Sequence, residues 1–453
     1  MRNKYLYITL LSIIGFGTES LAQVPRLVVS INIDQLSTDR LENYAPAYTS
    51  DGLRRLLAEG LQYTTVFHDF VPVDEASATA SIATGTTPYY NSITGREWFD
   101  RTTLRPQRII ADSQYSQSPI MLATSTIGDE LKLATQGSAH VYAFASTAES
   151  AILSAGHAAD GVAWMSKDRW QTTGYYTPQD AWLKSFIRQY IPTEDVNKSI
   201  AGIAVTCINQ SNLGLDEEPD LLSLTLTAGS NMDSYLALDI TISYLINSIC
   251  QRIPLERVLF VITGTGTREE EQENEHERYR IPTGKVDTGR TANLLNLYLG
   301  AVYGPAQYIE GTYGNQFYLN HKLLLKKNIE IADALRRAQE FLSQISGIRN
   351  VYTVSQLLTT DTPLLHRIRN GFNIEHCGDL LIDIQPGWQL INEDNQTSTF
   401  SRLGTMSFPV IFFGAGIQAG RITQPVSADR IAPTISKAIR IRAPNACAAE
   451  PLF

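Results

Sequence analysis

The 453-residue sequence predicts an α/β fold built on a mostly parallel sheet with helices on both faces. Three observations carry that expectation. Apolar, β-rich runs recur along the chain, they lack the strict alternation of a half-exposed strand, and segments with helical spacing separate them. In such a sheet a ligand crevice lies at the carboxyl ends of the strands.

Taken in order, Arg26–Ile33 (RLVVSINI) reads as a buried central strand ending at Asp34. Gly52–Gly60 (GLRRLLAEG) reads as an amphipathic helix closed by a glycine. Val71–Gly95 gives a loop, a short helix of small residues and a turn. Met121–Thr135 predicts a helix and Ala139–Ala145 a strand. Strands at Leu221–Leu226 and Val258–Ile262 each end in a small-residue loop, and Ile240–Cys250 is an apolar helix between them. Tyr308–Asn320 reads as a hairpin, Ala332–Leu342 as an amphipathic helix, and Gly378–Gln385 and Phe408–Phe413 as strands. Pro386–Ser407, between those two, reads as a polar loop. Asp34, Glu75, Thr147, Ser230 and Gly264 all fall at or just past strand ends.

The composition is that of a large globular chain, 43% hydrophobic and with a formal net charge of −9. That charge argues against a nucleic-acid partner, which favours a basic face. At the N-terminus, Arg2 and Lys4 precede an apolar run from Tyr5 to Phe16, and Ser20-Leu21-Ala22 offers a small-residue exit. Residues 1–22 are therefore expected to be a secretory signal peptide and 23–453 a single domain, periplasmic or extracellular, with no transmembrane anchor after cleavage. Cys207, Cys250, Cys377 and Cys447 are far apart in sequence, and spacing alone does not pair them. The acidic run Arg268–Arg280 reads as a solvated loop.

Ten collinear stretches carry a resemblance. They are the strand ending in Asp34, GLRRLLAEG, ASIATGTTP (Ala80–Pro88), ITGREWFDR (Ile93–Arg101), TIGDELKLAT (Thr126–Thr135) and AILSAGHAAD (Ala151–Asp160). IPTG (Ile281–Gly284), QPGW (Gln385–Trp388), FPVIFFGAGI (Phe408–Ile417) and DRIAPTI (Asp429–Ile435) complete the set. Together they resemble the alkaline phosphatase superfamily, in particular its secreted, Thr-nucleophile (phosphate-irrepressible) alkaline phosphatases. The resemblance implies an α/β/α sandwich with small inserts over the active-site edge.

It also implies a chemistry that the residues do not repeat. Members bind two zinc ions through three Asp and three His and attack phosphate with a Thr or Ser at a helix N-terminus. Asp34 matches the first-strand ligand, and Glu75 stands at the nucleophile position. The Asp and His of the second-strand pattern fall on Ser230 and Ser234, and the Asp-His-Gly pattern on Gly264-Thr265-Gly266. The last His falls near Ser398. The phosphate-contacting Lys and Arg fall on Thr147 and Glu149, and the Asn that holds phosphate on Arg96. None of His68, His140, His157, His276, His321, His366 and His376 lies where it would rebuild the site. No zinc is expected.

Loss of two cations would leave buried carboxylates uncompensated. Arg96 is therefore expected to pair with Asp34, Glu75 or Glu149 in a salt-bridge cluster. The alternative has Asp74 and Glu75 as ordinary first-turn acids favoured by the helix dipole. The function expected is that of a pseudophosphatase, binding an envelope protein or an unidentified ligand in its cleft. The competing readings are a carboxylate-based enzyme, or one using a hard cation, and a metal-dependent phosphomonoesterase or phosphodiesterase with a non-standard site.

Overall fold

A computed structural model describes residues 24–191, 193, 195–267, 282–359, 362–392, 397–399 and 406–453. The expected signal peptide, residues 1–22, and the acidic run Arg268–Arg280 with its His276 lie outside them. In chain order the main layers comprise β1 (Leu27–Asp34), α1 (Leu53–Glu59), β2 (Leu61–Phe67), α2 (Glu75–Thr84), α3 (Ile127–Ala134), β3 (Val141–Ala145), α4 (Ala148–Ala155), β4 (Gly161–Ser166) and β5 (Arg169–Gln171). They continue with α5 (Val196–Gln210), β6 (Asp220–Thr227), α6 (Met232–Cys250), β7 (Val258–Gly264), β8 (Phe408–Gly414), β9 (Gly420–Ile422) and α7 (Ile431–Ala438).

These strands form one sheet in the order β9-β2-β8-β7-β1-β6-β3-β4-β5. β1 is central and pairs in parallel with both β6 and β7. Only β8 and β5 run against the rest, so the sheet is mostly parallel.

The two faces of the sheet differ in chemistry. On one, Leu27, Val29, Ile31 and Ile33 of β1 join Leu222, Leu224 and Leu226 of β6 under α1, α5 and α6 in an apolar core. Each such side chain contributes about 1.5–3 kcal/mol on burial. The other face is graded. Val28, Leu221 and Leu259, near the strand starts, pack against α2, α3 and α7, whereas Ser30, Asn32 and Asp34 follow at every second position of β1. Ser30 pairs in register with Ser223, and Asn32 with Thr225. Small side chains there leave room for α2, whose residues Ala76 to Thr84 are all buried.

A smaller four-stranded antiparallel sheet, Ile309–Tyr313, Gln316–Leu319, Leu380–Ile384 and Ile348–Thr353, carries its own core with helices Thr288–Tyr303 and Ile331–Leu342. The hairpin Glu97–Asp100/Arg105–Arg108 ties this insert to the main body. Arg101 bridges Glu310 and Asp379, at 2.8 Å each, and Phe99 packs on Tyr318 with ring centroids 4.6 Å apart. A Cβ on Gly311 would run into the Phe99 ring.

Three sequence expectations need correction. The helix expected over Met121–Thr135 starts only at Ile127, because Thr126 and Asp129 form a reciprocal capping box that sets its first turn. The helix expected from Ile240 begins at Met232, where Asn231 caps it. Gly60 closes α1 as expected, in an extended conformation; glycine is required because a Cβ would lie 2.6 Å from the Leu56 carbonyl and 2.7 Å from Ile411 Cγ2. Pro386–Ser407 is not all loop. Trp388–Asn392 pairs in parallel with Gly284–Asp287 and antiparallel with Thr397–Thr399. All four cysteines are free.

The α3 cap also supports a titratable lock. His157 Nδ1 lies 3.0 Å from Asp129 Oδ2, and His157 Nε2 lies 3.0 Å from the Leu122 carbonyl. Carbonyl and carboxylate oxygens only accept, so both ring nitrogens donate and the ring is an imidazolium. The Asp129 hydrogen bond accordingly raises its pKa above 6.5. A raised folded-state value stabilises fully below the unfolded value, and that contribution is lost as pH rises through the folded one. The stability gap between the wild type and His157→Asn is therefore expected to be widest near pH 6 and to close toward pH 9, as read from denaturation midpoints. A gap that widens with pH would refute this assignment.

Candidate functional site

At the carboxyl edge of the sheet the N-termini of α2 and α4 face one another. The start of α2 is set by Asp74. Its Oδ1 accepts the Ser77 N–H at 2.8 Å, while the Asp74 N–H donates to Ser77 Oγ at 3.0 Å. Asp74 Oδ2 accepts the Arg96 N–H at 2.8 Å, so this acid is a structural cap. Its neighbour has another role. Glu75 Oε1 accepts hydroxyl hydrogen bonds from Thr147 (2.5 Å) and Ser150 (2.6 Å). Thr147 is itself the N-cap of α4, accepting the Ser150 N–H at 3.2 Å. The Glu75 carboxylate thus lies between two helix N-termini, where exposed N–H groups and both dipoles favour an anion.

Two arginines balance the charge. Arg96 Nη1 is 3.7 Å from Glu75 Oε2, and its Nη2 is 3.7 Å from Glu149 Oε2. Arg108 grips Glu149 Oε1 through Nε (2.9 Å) and Nη2 (2.6 Å). The hairpin sets this pairing, since the Ile109 N–H donates to the Arg96 carbonyl at 2.8 Å and places both guanidinium groups beside the same helix end. Glu149 is 1% exposed, so two cations facing it offset a desolvation cost that one would leave large.

Asp34, at the end of β1, forms a second centre. Its Oδ1 accepts the Thr265 hydroxyl at 2.7 Å, and the Thr267 hydroxyl lies 3.5 Å away. Burial, and then the charge of Glu75, push its carboxyl up to about 7, against the opposing pull of the two hydroxyls and Arg96. His68 supports the same loop from below, donating from Nε2 to the Thr265 carbonyl at 3.0 Å. Burial holds its pKa down at about 4, so the ring is neutral.

The structure therefore brings Glu75, Arg96, Thr147 and Glu149 together and sets Asp34 with Thr265. Arg96 reaches two of the three carboxylates expected for it, Glu75 and Glu149. Ser230 is exposed at the rim, and Ser234 directs its hydroxyl to Asn231 Oδ1 at 2.8 Å; neither hydrogen-bonds to the cluster. Gly264 is no part of the cleft surface. It is buried, and a Cβ there would lie 2.6 Å from Phe408 Cβ, so its role is to let β7 pack on β8. Ser398 lies in the strand Thr397–Thr399, opposite Ile391. Ser150 and Arg108 were missed from sequence. The i, i+3 spacing of Thr147 and Ser150 is a helix-start pattern that could have pointed to the first; the second depends on hairpin register.

The zinc pair implied by the resemblance does not fit these donors. Among the described residues, no group of three or more His, Cys, Asp or Glu is placed to hold a metal ion. Around Asp34 the polar partners are hydroxyls, and the neighbouring His68 ring uses its Nε2 hydrogen on a carbonyl. Zinc in a protein is held by imidazole, thiolate or carboxylate, not by neutral hydroxyls.

Residues 28–407 match the family described as type I phosphodiesterase / nucleotide pyrophosphatase. The chain is 23% identical to alkaline phosphatase PafA of Elizabethkingia meningoseptica, over 94% of each protein. It is 22% identical to alkaline phosphatase PhoV of Synechococcus elongatus, over 93% of this chain and 91% of that one. The crystal structure of wild-type PafA superposes with a TM-score of 0.83 at 22% identity, covering 94% of this chain and 98% of the other. At that identity the likeness establishes the fold: an α/β sandwich with a large, mostly parallel sheet.

Proposed function

The chain belongs to the type I phosphodiesterase / nucleotide pyrophosphatase family, within the alkaline phosphatase superfamily, and from that premise we propose that it keeps the hydrolase-like fold without hydrolysing phosphate esters. The observation that supports this reading is the state of Glu75. Its carboxylate is held by the Thr147 and Ser150 hydroxyls and faced by Arg96, so the groups that would cradle a substrate anion are engaged by an anion of the chain itself. A carboxylate so held offers no hydroxyl nucleophile, and repels a phosphate dianion at short range. Among the described residues, no group of three or more His, Cys, Asp or Glu is placed with Asp34 to hold a zinc ion.

In this reading the protein is a binding or structural component of the cell envelope, delivered there by a signal peptide over residues 1–22. The Arg2/Lys4 n-region and the apolar run to Phe16 support that part. No helix among the described residues is long and apolar enough to cross a membrane.

The test is metal content and turnover on one sample. Mature protein purified without chelator is expected to contain no stoichiometric zinc by elemental analysis and to hydrolyse an aryl phosphate no faster than buffer. Near-stoichiometric zinc with EDTA-sensitive turnover would overturn the proposal. Glu75→Thr, which restores a hydroxyl at the head of α2, is expected to leave turnover at background, because the donors around Asp34 are unchanged. Turnover gained by that single change would show that Glu75 alone blocks an otherwise complete site.

A further inference from the structure

Under α2 lies a small, narrow-mouthed cavity of about 10 Å³. Its polar lining comes from Ser30 and Asn32 of β1, Ser223 of β6 and Ser154 of α4. These positions are in the middle of buried elements, yet Ser30, Ser223 and Ser154 keep 7%, 6% and 7% of their accessible area. Asn32 is 2% exposed, and its Oδ1 has no hydrogen-bond partner. Neither has the Oγ1 of Thr225, its register neighbour on β6.

We propose that this cavity is a binding site for one water molecule, which donates to Asn32 Oδ1 and bonds to the serine hydroxyls around it. Two requirements are met together. An internal water needs about 10–15 Å³ for its centre and two to four polar partners, whereas apolar cavities of larger volume stay dry. The space here is near the lower bound, and one asparagine and three serines line it. Ser154 Oγ donates to the Ser150 carbonyl at 2.6 Å, which leaves its lone pairs free to accept. The lining contains no carboxylate, so a metal ion would enter without charge compensation, and a neutral molecule is the better match.

The water site would explain a pattern that packing alone does not. Serines at Ser30 and Ser223 and an amide at Asn32 are poor choices for the interior of a parallel sheet, where apolar side chains are usual. With a water between them they link β1, β6 and α4, the elements that end in Asp34, in Thr227 and at the Thr147 cap. Turning buried polar groups toward one shared water satisfies donors and acceptors that cannot reach one another directly.

A crystal structure of the wild-type protein, at a resolution that shows ordered solvent, is the first test. One spherical peak within hydrogen-bonding distance of Asn32 Oδ1 and at least one of the serine hydroxyls is expected. Absence of density there, or a peak with short metal-like distances to several oxygens, overturns the proposal. In solution, oxygen-17 relaxation dispersion is expected to count one long-lived internal water fewer in Ser223→Val, whose larger side chain fills the space, than in the wild type. Equal counts in a folded variant would also overturn it. If that variant does not fold, the wild-type crystal structure still decides.

Discussion

Asp34→Asn is expected to stabilise the protein at pH 8 and to leave its stability nearly unchanged at pH 4. In the unfolded chain this carboxyl titrates near 3.8, and in the fold it is pushed up to about 7 by burial and by Glu75. Between those values the native state holds a proton that the unfolded state has released, so stability falls as pH rises across that window. Above it the folded protein carries a buried anion whose hydroxyl partners do not repay its desolvation. At about 1.4 kcal/mol per pKa unit, the gain at pH 8 is on the order of 2–4 kcal/mol. Asparagine keeps an oxygen for the Thr265 hydroxyl, which now donates to Asp34 at 2.7 Å, so the change removes the charge and little else. Denaturant midpoints at the two pH values, with unchanged slopes, measure it. A loss of stability at pH 8 would mean that the carboxylate is compensated there by a cation, and the reading of the cleft would have to change.

Asp239→Ala should cost about 2–4 kcal/mol, since it strips the buried Leu53 N–H and the Thr49 N–H of their acceptor. Asp239, on α6, is 1% exposed. Its Oδ1 accepts the Leu53 N–H at 2.6 Å and its Oδ2 the Thr49 N–H at 2.7 Å. The N-cap residue of α1 is Gly52, which has no side chain to cap with, so a distant helix does the work. Glycine is needed at that position because a Cβ would strike Asp239 Oδ1. Gly52→Ala is therefore expected to damage the same interaction from the other side, and the double variant to lose less than the two single losses together. Strict additivity in a denaturation cycle would show that the two residues act independently.

How much of this was legible in sequence can be judged from β1. RLVVSINI reads as an unbroken apolar run, and it is the central strand. The alternation of Ser30, Asn32 and Asp34 was nevertheless present and went unused, because the opposite face supplies Val29, Ile31 and Ile33 and hides the polar period. In the cleft, Glu75, Arg96, Thr147 and Glu149 were reachable through the resemblance, which aligns them with positions known to converge. Arg108 was not, because it meets Glu149 only once Arg105–Arg108 has paired with Glu97–Asp100, and register between short hairpin strands is weakly encoded. Gly264 reads as a cleft residue because it ends a strand and falls on the Asp-His-Gly pattern of the resemblance. Its function is steric, and only the packing of Phe408 reveals it. The strand Trp388–Asn392 lies in a polar stretch that reads as loop, and it is stabilised by neighbours far along the chain.

The central position of β1 has a kinetic consequence. Its hydrogen-bonding partners begin at Asp220 on one side and Val258 on the other, so both of its edges stay bare until close to half of the 453 residues are available, and one edge stays bare beyond that. Ordering such distant segments requires closing long loops before any ladder bond is gained, and topologies of this kind fold slowly. A nascent or truncated chain ending before Asp220 would expose both edges of an apolar strand, the geometry most prone to intermolecular pairing. The strand at the centre of the sheet thus waits for residues more than 200 positions away before its second edge is covered.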